Sequence, residues 1–292
     1  MMRVTQEQIE RLVQEGFVVV PGFLTEEELA AAKENFLQYF PTAEALAANP
    51  SEHEELMEEA DAGQVEFPFE GDALNEVSTH PELIALVEKL LGTKDVLLSQ
   101  SAIWAKYAGA GDYEQGLHLD YQGNTLVVPR DDGDYRQVNM ILYYTDVTPA
   151  LGPTYVVSQE KTRDVALWPA FKPRKKFPEL YKMEEPISAK AGSLLIFSMR
   201  TLHRASAIVA KAGARFSHHM IWRSGRHGFQ GFHLWAAKGE DPNMQKFIAR
   251  ATPRQREVLG FPRVGDEYWN EETVAAVGLR YPGMDVGVYR RG

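Results

Sequence analysis

The sequence predicts a mainly β protein of the α+β class: a jelly-roll sandwich with helices packed on one outer face. The hydrophobic period changes from helical to alternating near residue 95. Short alternating stretches then follow one another as far as about residue 223, separated by turns that contain glycine, proline or aspartate. Helical patterns precede and follow this region, as is typical of a β core with helical additions.

The N-terminal region, residues 1–94, is predicted to be helical with one short strand. Thr5 opens a capping-box sequence, and the helical periodicity that follows it stops at Gly16. The β-branched run 17–20 then predicts a strand. Further helices are expected over about 25–40, 52–59 and 79–92.

The core region, residues 95–224, is predicted to consist of strands, because apolar and polar residues alternate between turn signals. The expected strands are 95–107, 117–122, 137–147, 153–159, 192–198, 203–209 and 214–223. The C-terminal region, residues 225–292, returns to helical periodicity, with helices expected over about 242–259 and 271–279. Since no repeat or linker separates the three regions, we interpret residues 1–292 as a single domain.

Composition restricts the class of protein. The 292 residues are 44% hydrophobic and 25% charged, as in ordinary globular proteins. A net charge of −10 repels phosphate backbones and disfavours nucleic acid as a partner. The absence of cysteine excludes disulfides and thiolate metal ligands. Because no apolar run reaches the ~20 residues of a membrane span and the first residues enter a polar helix, we expect a soluble, cytoplasmic protein.

His118 and Asp120 form the most informative pattern in the core region. Side chains two positions apart on a strand point to the same face, so an imidazole and a carboxylate can meet there. His203, at the start of a distant predicted strand, can supply a third ligand. This set leaves positions open on a metal and suits non-haem Fe(II) that must also bind a cosubstrate and O2. The alternative is a strand histidine that is hydrogen-bonded to a neighbouring carboxylate, but the combined pattern favours a catalytic metal site.

Arg215 lies in an apolar run that predicts a buried strand after the one that begins at His203. A buried guanidinium needs an anionic partner, and it can hold the far carboxylate of a dicarboxylic cosubstrate as a two-pronged ion pair. A structural carboxylate is the alternative partner. Lys106, on the strand before the metal motif, can also reach the cosubstrate or can lie solvated at the strand end.

These residues, in this order, resemble the phytanoyl-CoA dioxygenase-like family of Fe(II)- and 2-oxoglutarate-dependent oxygenases. The likeness extends over most of the chain. Residues 8–24 look like the family's N-terminal helix and strand, and residues 138–154 look like its central strand pair. A Pro-Gly-Ser-His turn that usually follows in the family is matched here only by Ser158.

The resemblance implies a double-stranded β-helix in which the His-Asp-His set holds iron and Arg215 anchors 2-oxoglutarate. The family often adds a hydroxyl two residues after the second histidine, where this chain has Ala205. The hydroxyl is then expected from Ser206 through a one-residue shift, or from Thr154 or Ser217.

The implied activity is a dioxygenase reaction that hydroxylates an unactivated C–H bond of a small organic metabolite and releases succinate and CO2. Related halogenases lack the carboxylate ligand, so the presence of Asp120 argues against halogenation. Desaturation, epoxidation and ring formation stay open, because the same oxidant can carry them out.

Substrate contacts are expected from aromatic and polar residues beside the metal motif and along the last strand, although each of them can equally belong to the core. His219 shares a strand face with Arg215, whereas His218 points the other way. The basic run 172–176 can meet a substrate phosphate, but a solvated loop is the favoured interpretation. The candidates for substrate binding are Tyr121, Tyr113, His219 and Trp222.

Two other functions stay open: a cupin-type metal enzyme that works without 2-oxoglutarate, and a non-catalytic jelly-roll binding module. The first typically uses more histidine ligands and needs no buried arginine. The C-terminal stretch 252–285 is rich in aromatic and arginine residues, which suits a helical cap over the sandwich or a contact in a homodimer.

Overall fold

The described strands form two antiparallel sheets. The computed structural model describes residues 3–58, 63–110, 114–123, 128, 137–225 and 235–290. Its strands are β1 (Phe17–Val20), β2 (Gln64–Glu66), β3 (Val96–Tyr107), β4 (Gln137–Tyr143), β5 (Tyr155–Val156), β6 (Glu185–Pro186), β7 (Leu194–Ser198), β8 (His203–Arg204) and β9 (Ala214–Ser224). The larger sheet has the order β1-β7-β4-β9-β3-β2, and the smaller sheet has the order β6-β5-β8.

Helices flank the strands along the chain, and their sequences explain where they begin and end. The side chains of Thr5 and Gln8 close a capping box at the start of the first helix, and Gly16 ends it in the left-handed region with a φ of 82°. The α-helices are α1 (Gln6–Glu15), α2 (Glu26–Phe36), α3 (Ala43–Ala48), α4 (Glu54–Glu58), α5 (Ala73–Ser78), α6 (Pro81–Leu91), α7 (Pro178–Lys182), α8 (Pro242–Arg250), α9 (Pro253–Glu257) and α10 (Glu271–Arg280).

Alternation along β9 separates the two faces of the larger sheet. Phe216 and Met220 point outward and share a large apolar core with residues of helices such as Phe36 of α2 and Phe247 of α8. A smaller apolar core that includes Ile141, Val156 and Leu195 lies between the two sheets. The intervening residues of β9 face this interior, so any polar residue among them stands inside the sandwich.

This architecture confirms the predicted α+β sandwich with helices on one outer face. The helices that begin after Thr5 and Thr25 and the helix that ends at Gly92 are also where the capping residues predict them, although α2 ends at Phe36 rather than near residue 40. The long strands β3, β4, β7 and β9 fall within or nearly within their predicted ranges.

Several predicted elements are wrong in extent. The strand expected over 117–122 is reduced to bridges at Leu117 and His118, and the chain then enters a 3-10 turn at Asp120–Gly123. The strands expected over 153–159 and 203–209 are only two residues long. The region before α6 contains α3, α5 and β2, none of which the weak pattern there predicts. The predicted helix 242–259 is divided by Thr252, which caps α9.

None of the described helices combines the length and the apolar character that crossing a bilayer requires.

Candidate metal centre

The side chains of His118, Asp120 and His203 converge on one point, although they come from separate elements. The Nε2 atoms of both histidines lie 3.4 Å from Oδ1 of Asp120, and one ligand atom of each residue lies within 4.8 Å of the others. Adjacent ligands of an octahedral ion with bonds of about 2.1 Å are roughly 3 Å apart. The separations therefore fit a divalent metal held on one face of its coordination sphere.

The backbone brings the two histidines together. His118 and His203 are direct partners in an antiparallel bridge, with N–H to carbonyl distances of 3.0 and 3.1 Å in the two directions. Residues paired in this way hold their side chains on the same face of the ladder. Accordingly, the two imidazole rings lie 4.4 Å apart between centroids.

A backbone carbonyl orients each imidazole. Nδ1 of His118 donates to the carbonyl of Gly116 at 2.9 Å, and Nδ1 of His203 donates to the carbonyl of Thr201 at 3.0 Å. A carbonyl can only accept, so the proton of the neutral ring resides on Nδ1 and Nε2 keeps its lone pair. Both rings thus present a metal-binding nitrogen to the shared point, which is the usual arrangement of a histidine ligand supported by its outer hydrogen bond.

Asp120 is held as a carboxylate. In the metal-free site, burial on its own would raise the pKa of this carboxyl, but the positive charge of His203 and the hydrogen bonds that both rings donate when they are protonated lower it well below its usual range. Its second oxygen, Oδ2, accepts a 2.6 Å hydrogen bond from the side-chain amide of Asn139 on β4. The carboxylate is consequently ionised at neutral pH and fixed in direction, with Oδ1 left for a metal.

The three side chains lie in a cavity of about 740 Å³. The inner faces of β3, β4 and β9 contribute much of its wall, and residues 114–116 and Phe171 lie at its other side. Other lining residues are Gln64, Gln100, Trp104, Ile141, Thr154, Phe197, Ala205, Arg215, His219 and Ile221. The centre is accessible to a small molecule of moderate size.

Arg215 is a buried cation in this cavity, with 5% of its surface exposed. Its guanidinium donates a short hydrogen bond to the carbonyl of Gly152. The hydroxyl of Tyr143 lies 3.4 Å from Oγ1 of Thr154, and Arg215 is close enough to oppose the rise in the pKa of Tyr143 that burial causes. One part of the cavity wall therefore combines the positive charge of Arg215 with Thr154, whose hydroxyl is hydrogen-bonded to the buried Tyr143.

His219 also faces the cavity, as predicted from its shared strand face with Arg215. Burial, with a smaller contribution from the charge of Arg215, lowers its pKa to about 3. Its ring lies 4.4 Å from that of Trp104, and its Nε2 is 3.0 Å from the hydroxyl of Ser217. It is a neutral wall residue and is not one of the three converging ligands.

Other predicted site residues are placed differently. Thr154 lines the cavity, but the hydroxyl of Ser206 donates to the carbonyl of Pro153 at 2.6 Å, and Lys106 donates to the carbonyl of Ser206 at 2.8 Å. Tyr121 packs into a separate apolar cluster, and its hydroxyl donates to the carbonyl of Leu167, so the prediction that it contacts the substrate is wrong. The same prediction for Trp222 is wrong as well, because Trp222 occupies an even position of β9, and the even positions point to the helical side of the sheet. Tyr113 lies outside the described residues.

Asn139, Gln100 and Trp104 are cavity residues to which the sequence assigned no role. The strand pairing explains their position: β3 and β4 flank β9, so these side chains lie on the same face as Arg215 and His219. Period-two alternation on the predicted strands could have identified the face, but not the neighbours, since nothing in the sequence states which strands pair.

Two imidazoles and a carboxylate converge inside an antiparallel sandwich of two sheets. This fold and this set of potential metal ligands together define a class, the cupin-like jelly-roll proteins. Within that class, the chain belongs to the phytanoyl-CoA dioxygenase (PhyH) family, whose model matches residues 12–216. No curated protein matches the sequence significantly.

Similar folds occur among solved structures. The epimerase SnoN from nogalamycin biosynthesis, in complex with Fe³⁺, α-ketoglutarate and nogalamycin RO, is 19% identical over 79% of this chain and 88% of its own, with a TM-score of 0.56. The α-ketoglutarate-dependent carbocyclase SnoK is 16% identical over 78% and 87%, with a TM-score of 0.54. HygX from Streptomyces hygroscopicus, with nickel and 2-oxoglutarate bound, is 14% identical over 76% and 88%, with a TM-score of 0.51. At these identities the likeness concerns the fold.

Proposed function

We propose that the protein is a non-haem Fe(II)- and 2-oxoglutarate-dependent dioxygenase, in which His118, Asp120 and His203 hold the iron. The observation that carries this proposal is the convergence of two imidazole Nε2 atoms and a carboxylate oxygen inside a cavity that also contains Arg215. Membership of the PhyH family supports it, since enzymes of this family use Fe(II), 2-oxoglutarate and O2.

The donor set is suited to Fe(II) because it occupies one face and leaves the remaining positions for a cosubstrate and O2. When bound, Fe(II) with 2-oxoglutarate and O2 supplies an oxidant strong enough to remove hydrogen from a C–H bond, with release of succinate and CO2. The protein's residues hold the ligands in place and keep water from the reacting atoms.

Arg215 would bind the carboxylate of 2-oxoglutarate that is remote from the metal. The guanidinium matches a carboxylate with two parallel hydrogen bonds, and its burial strengthens the pairing. Thr154 and Tyr143 would add hydroxyl groups on the same side. Ser206 and Lys106 would stabilise this wall through their bonds to the backbone, rather than by direct contact.

The substrate would be a small organic metabolite with hydrogen-bonding groups. Among the described residues, the buried indole N–H of Trp104 and the buried side-chain oxygen of Asn139 have no hydrogen-bond partner, and both residues line the cavity. A buried donor or acceptor without a partner is costly, so a ligand that satisfies these groups gains affinity. Hydroxylation of its C–H bond is the expected outcome. Epimerisation and ring closure, named for SnoN and SnoK, begin from the same hydrogen removal and form a second candidate.

Anaerobic titration of the purified protein with Fe(II) and 2-oxoglutarate tests the proposal. A weak visible charge-transfer band should form in the wild type and be absent from His118→Ala. Arg215→Gln should bind iron but require at least about tenfold more 2-oxoglutarate, because one charge-assisted pair is lost. A screen of small metabolites for succinate release would then identify the substrate.

A wild-type protein that binds Fe(II) without forming the band, or an Arg215→Gln variant with unchanged affinity for 2-oxoglutarate, would contradict the proposal. The first result would favour a cupin-type enzyme without the cosubstrate. Failure to bind any divalent metal would favour a binding module.

A further inference from the structure

The basic run 172–176 does not form one basic surface. Arg174 lies 3.7 Å from carboxylate oxygens of both Glu114 and Glu184, so its charge is compensated. Lys175 and Lys176 are exposed. Lys172, in contrast, is buried, with only 1% of its surface exposed. Its environment differs from that of a solvated lysine and needs a separate explanation.

Lys172 is a buried cation, and the part of the chain that the structure describes places no carboxylate beside it. Its ammonium donates one hydrogen bond, at 2.7 Å, to the carbonyl of Ala166, and lies 5.1 Å from the centre of the Phe177 ring. Among the described residues, no carboxylate lies within ion-pair distance of it. Since an ammonium has three donors, two of them have no acceptor among the described residues. A charge in this position is expensive unless an anion accompanies it.

A second cavity, of about 380 Å³, lies beside this ammonium. Three basic side chains line it: Lys172, Arg163 and Arg200. Its described lining includes no aspartate or glutamate, in a protein whose net charge is −10. Gln14, Gln159 and Thr162 add polar groups, and a carboxylate oxygen of Glu160 lies 4.0 Å from the guanidinium of Arg163. The cavity is therefore a positive concavity in an acidic protein.

This cavity is separate from the metal centre but borders the same strand segment. Leu119 lines both cavities, and it stands between His118 and Asp120 in the chain. Leu202, which precedes His203, also contributes to the second cavity. The backbone N–H of Lys172 donates to the carbonyl of Leu117 at 2.8 Å. The second cavity therefore lies behind the segments that carry the metal-site residues.

We propose that the second cavity binds a phosphate group, either as free phosphate or as the end of a small organic phosphate. Several cationic donors favour a doubly charged oxyanion over a single carboxylate, and arginine forks match phosphate oxygens. The volume exceeds that of one phosphate, which leaves room for a few further atoms. Burial lowers the pKa of Lys172, and a bound anion would reverse that shift. This inference does not depend on the proposed iron chemistry.

Isothermal titration of the full-length protein with inorganic phosphate, and separately with ribose 5-phosphate, provides the test. Lys172→Met should weaken binding by at least about tenfold, since it removes a charge-assisted contact. Lys175→Met is the matched control, because it removes the same charge from an exposed position of the same loop. Arg215→Gln should retain phosphate binding, which separates this cavity from the first one. Tighter binding of ribose 5-phosphate than of phosphate would identify an organic phosphate as the ligand.

The proposal would be overturned if neither phosphate nor ribose 5-phosphate bound to the wild type at millimolar concentration. It would also be overturned if Lys172→Met bound these ligands with the same affinity as the wild type. Loss of binding in Lys175→Met to the same extent would also overturn it, since general surface charge would then explain the effect. If Lys172→Met fails to fold, Arg163→Gln takes its place, because its side chain is 70% exposed and its loss leaves the core intact. That variant should bind phosphate several-fold more weakly.

Discussion

Asn139 connects the candidate metal centre to the larger sheet. Its amide donates to the carboxylate oxygen of Asp120 that points away from the histidines. A carboxylate that is fixed by an outer hydrogen bond holds its other oxygen in one direction, which favours metal binding. The residue therefore acts through Asp120, as a positioning residue.

We expect Asn139→Ala to weaken Fe(II) binding by about 10–100-fold, the usual effect of removing an outer hydrogen bond from a metal ligand. Anaerobic metal titration measures this effect. Gln100→Ala is the control, because Gln100 lines the same cavity but, within the described part of the chain, makes no hydrogen bond to the three ligands. Equal metal affinity in the two variants would show that Asn139 has no positioning role.

His218 lies beside His219 on β9, but its side chain is on the opposite face of the strand, away from the metal centre. It is fully buried between the sheet and α5, where Nε2 lies 2.8 Å from the hydroxyl of Ser101 and Nδ1 lies 2.9 Å from that of Tyr144. Burial lowers the pKa of His218 to about 3. The folded protein thus requires the neutral ring.

Acid should therefore destabilise the fold through His218. The unfolded chain binds a proton near pH 6.5 and the folded protein only near 3, so stability is fully present above pH 6.5 and falls as the pH decreases through this window. The loss is at most about 1.4 kcal/mol per pH unit for this residue. Urea unfolding at pH 7 and pH 5 should show a smaller loss in His218→Gln than in the wild type. An identical loss in both proteins would assign the acid sensitivity to other groups.

At the level of elements, the metal-site residues stand where regular structure ends. His118 belongs to a single bridge, and Asp120 begins a 3-10 turn. The prediction that both point from one face of a strand is therefore wrong in its geometry, although the two side chains do converge. The turn redirects the chain after Leu119, and such a change depends on tertiary contacts that alternation in the sequence does not report.

The smaller sheet was over-predicted for a related reason. The predicted strands extend beyond Tyr155–Val156 and beyond His203–Arg204, yet the regular strands consist of these pairs, and the pairing beyond them is reduced to single contacts such as the bridge of Leu151 and Ile208. Irregular segments that bury one side produce the same period-two pattern as strands. Helix ends were more predictable, because capping is set by adjacent residues such as Thr5 and Gly16.

Gly16 joins α1 to β1 and cannot carry a side chain without cost. Its φ is 82°, and a Cβ there would lie 2.5 Å from the side chain of Gln159. Gly22 also has a positive φ, 59°, but a Cβ there would meet nothing within 4 Å. We expect Gly16→Ala to destabilise the protein by about 1–3 kcal/mol more than Gly22→Ala, because overpacking adds to the backbone strain. Urea unfolding of the two variants measures the difference, and equal losses would mean that only the backbone conformation matters.

At the scale of the whole molecule, a bound metal would connect the bridge of His118 and His203 to the turn of Asp120 and, through Asn139, to the larger sheet. A ligand that binds only the folded state at about 100 times its Kd adds about 2.7 kcal/mol to stability. For a chain of 292 residues that corresponds to a rise in Tm of roughly 4–5 °C.

Thermal unfolding with Ni(II), which resists oxidation in air, and 2-oxoglutarate should show this rise in the wild type, and His118→Ala should show little of it. A rise of equal size in the variant would place the metal elsewhere on the protein.

The fold class and the residues that converge could be predicted from the sequence, because the strand pattern, the two histidines, Asp120 and the buried Arg215 are readable locally. The residues of the cavity wall could not be predicted from the sequence, since Trp104 and Asn139 come together only through the non-local pairing of β3 and β4 with β9. Both terminal regions contribute to one apolar core, from Val4 to Tyr289, which supports the prediction of a single domain. The homodimer stays a prediction.

The carbonyls of Gly116 and Thr201, each two positions before its histidine, set the ring orientation within a tripeptide. The folded apoprotein consequently presents its nitrogen ligands before any ion arrives. We therefore expect metal uptake to proceed as a rapid capture, in which shedding of the ion's own water shell, and not rearrangement of the polypeptide, limits the rate.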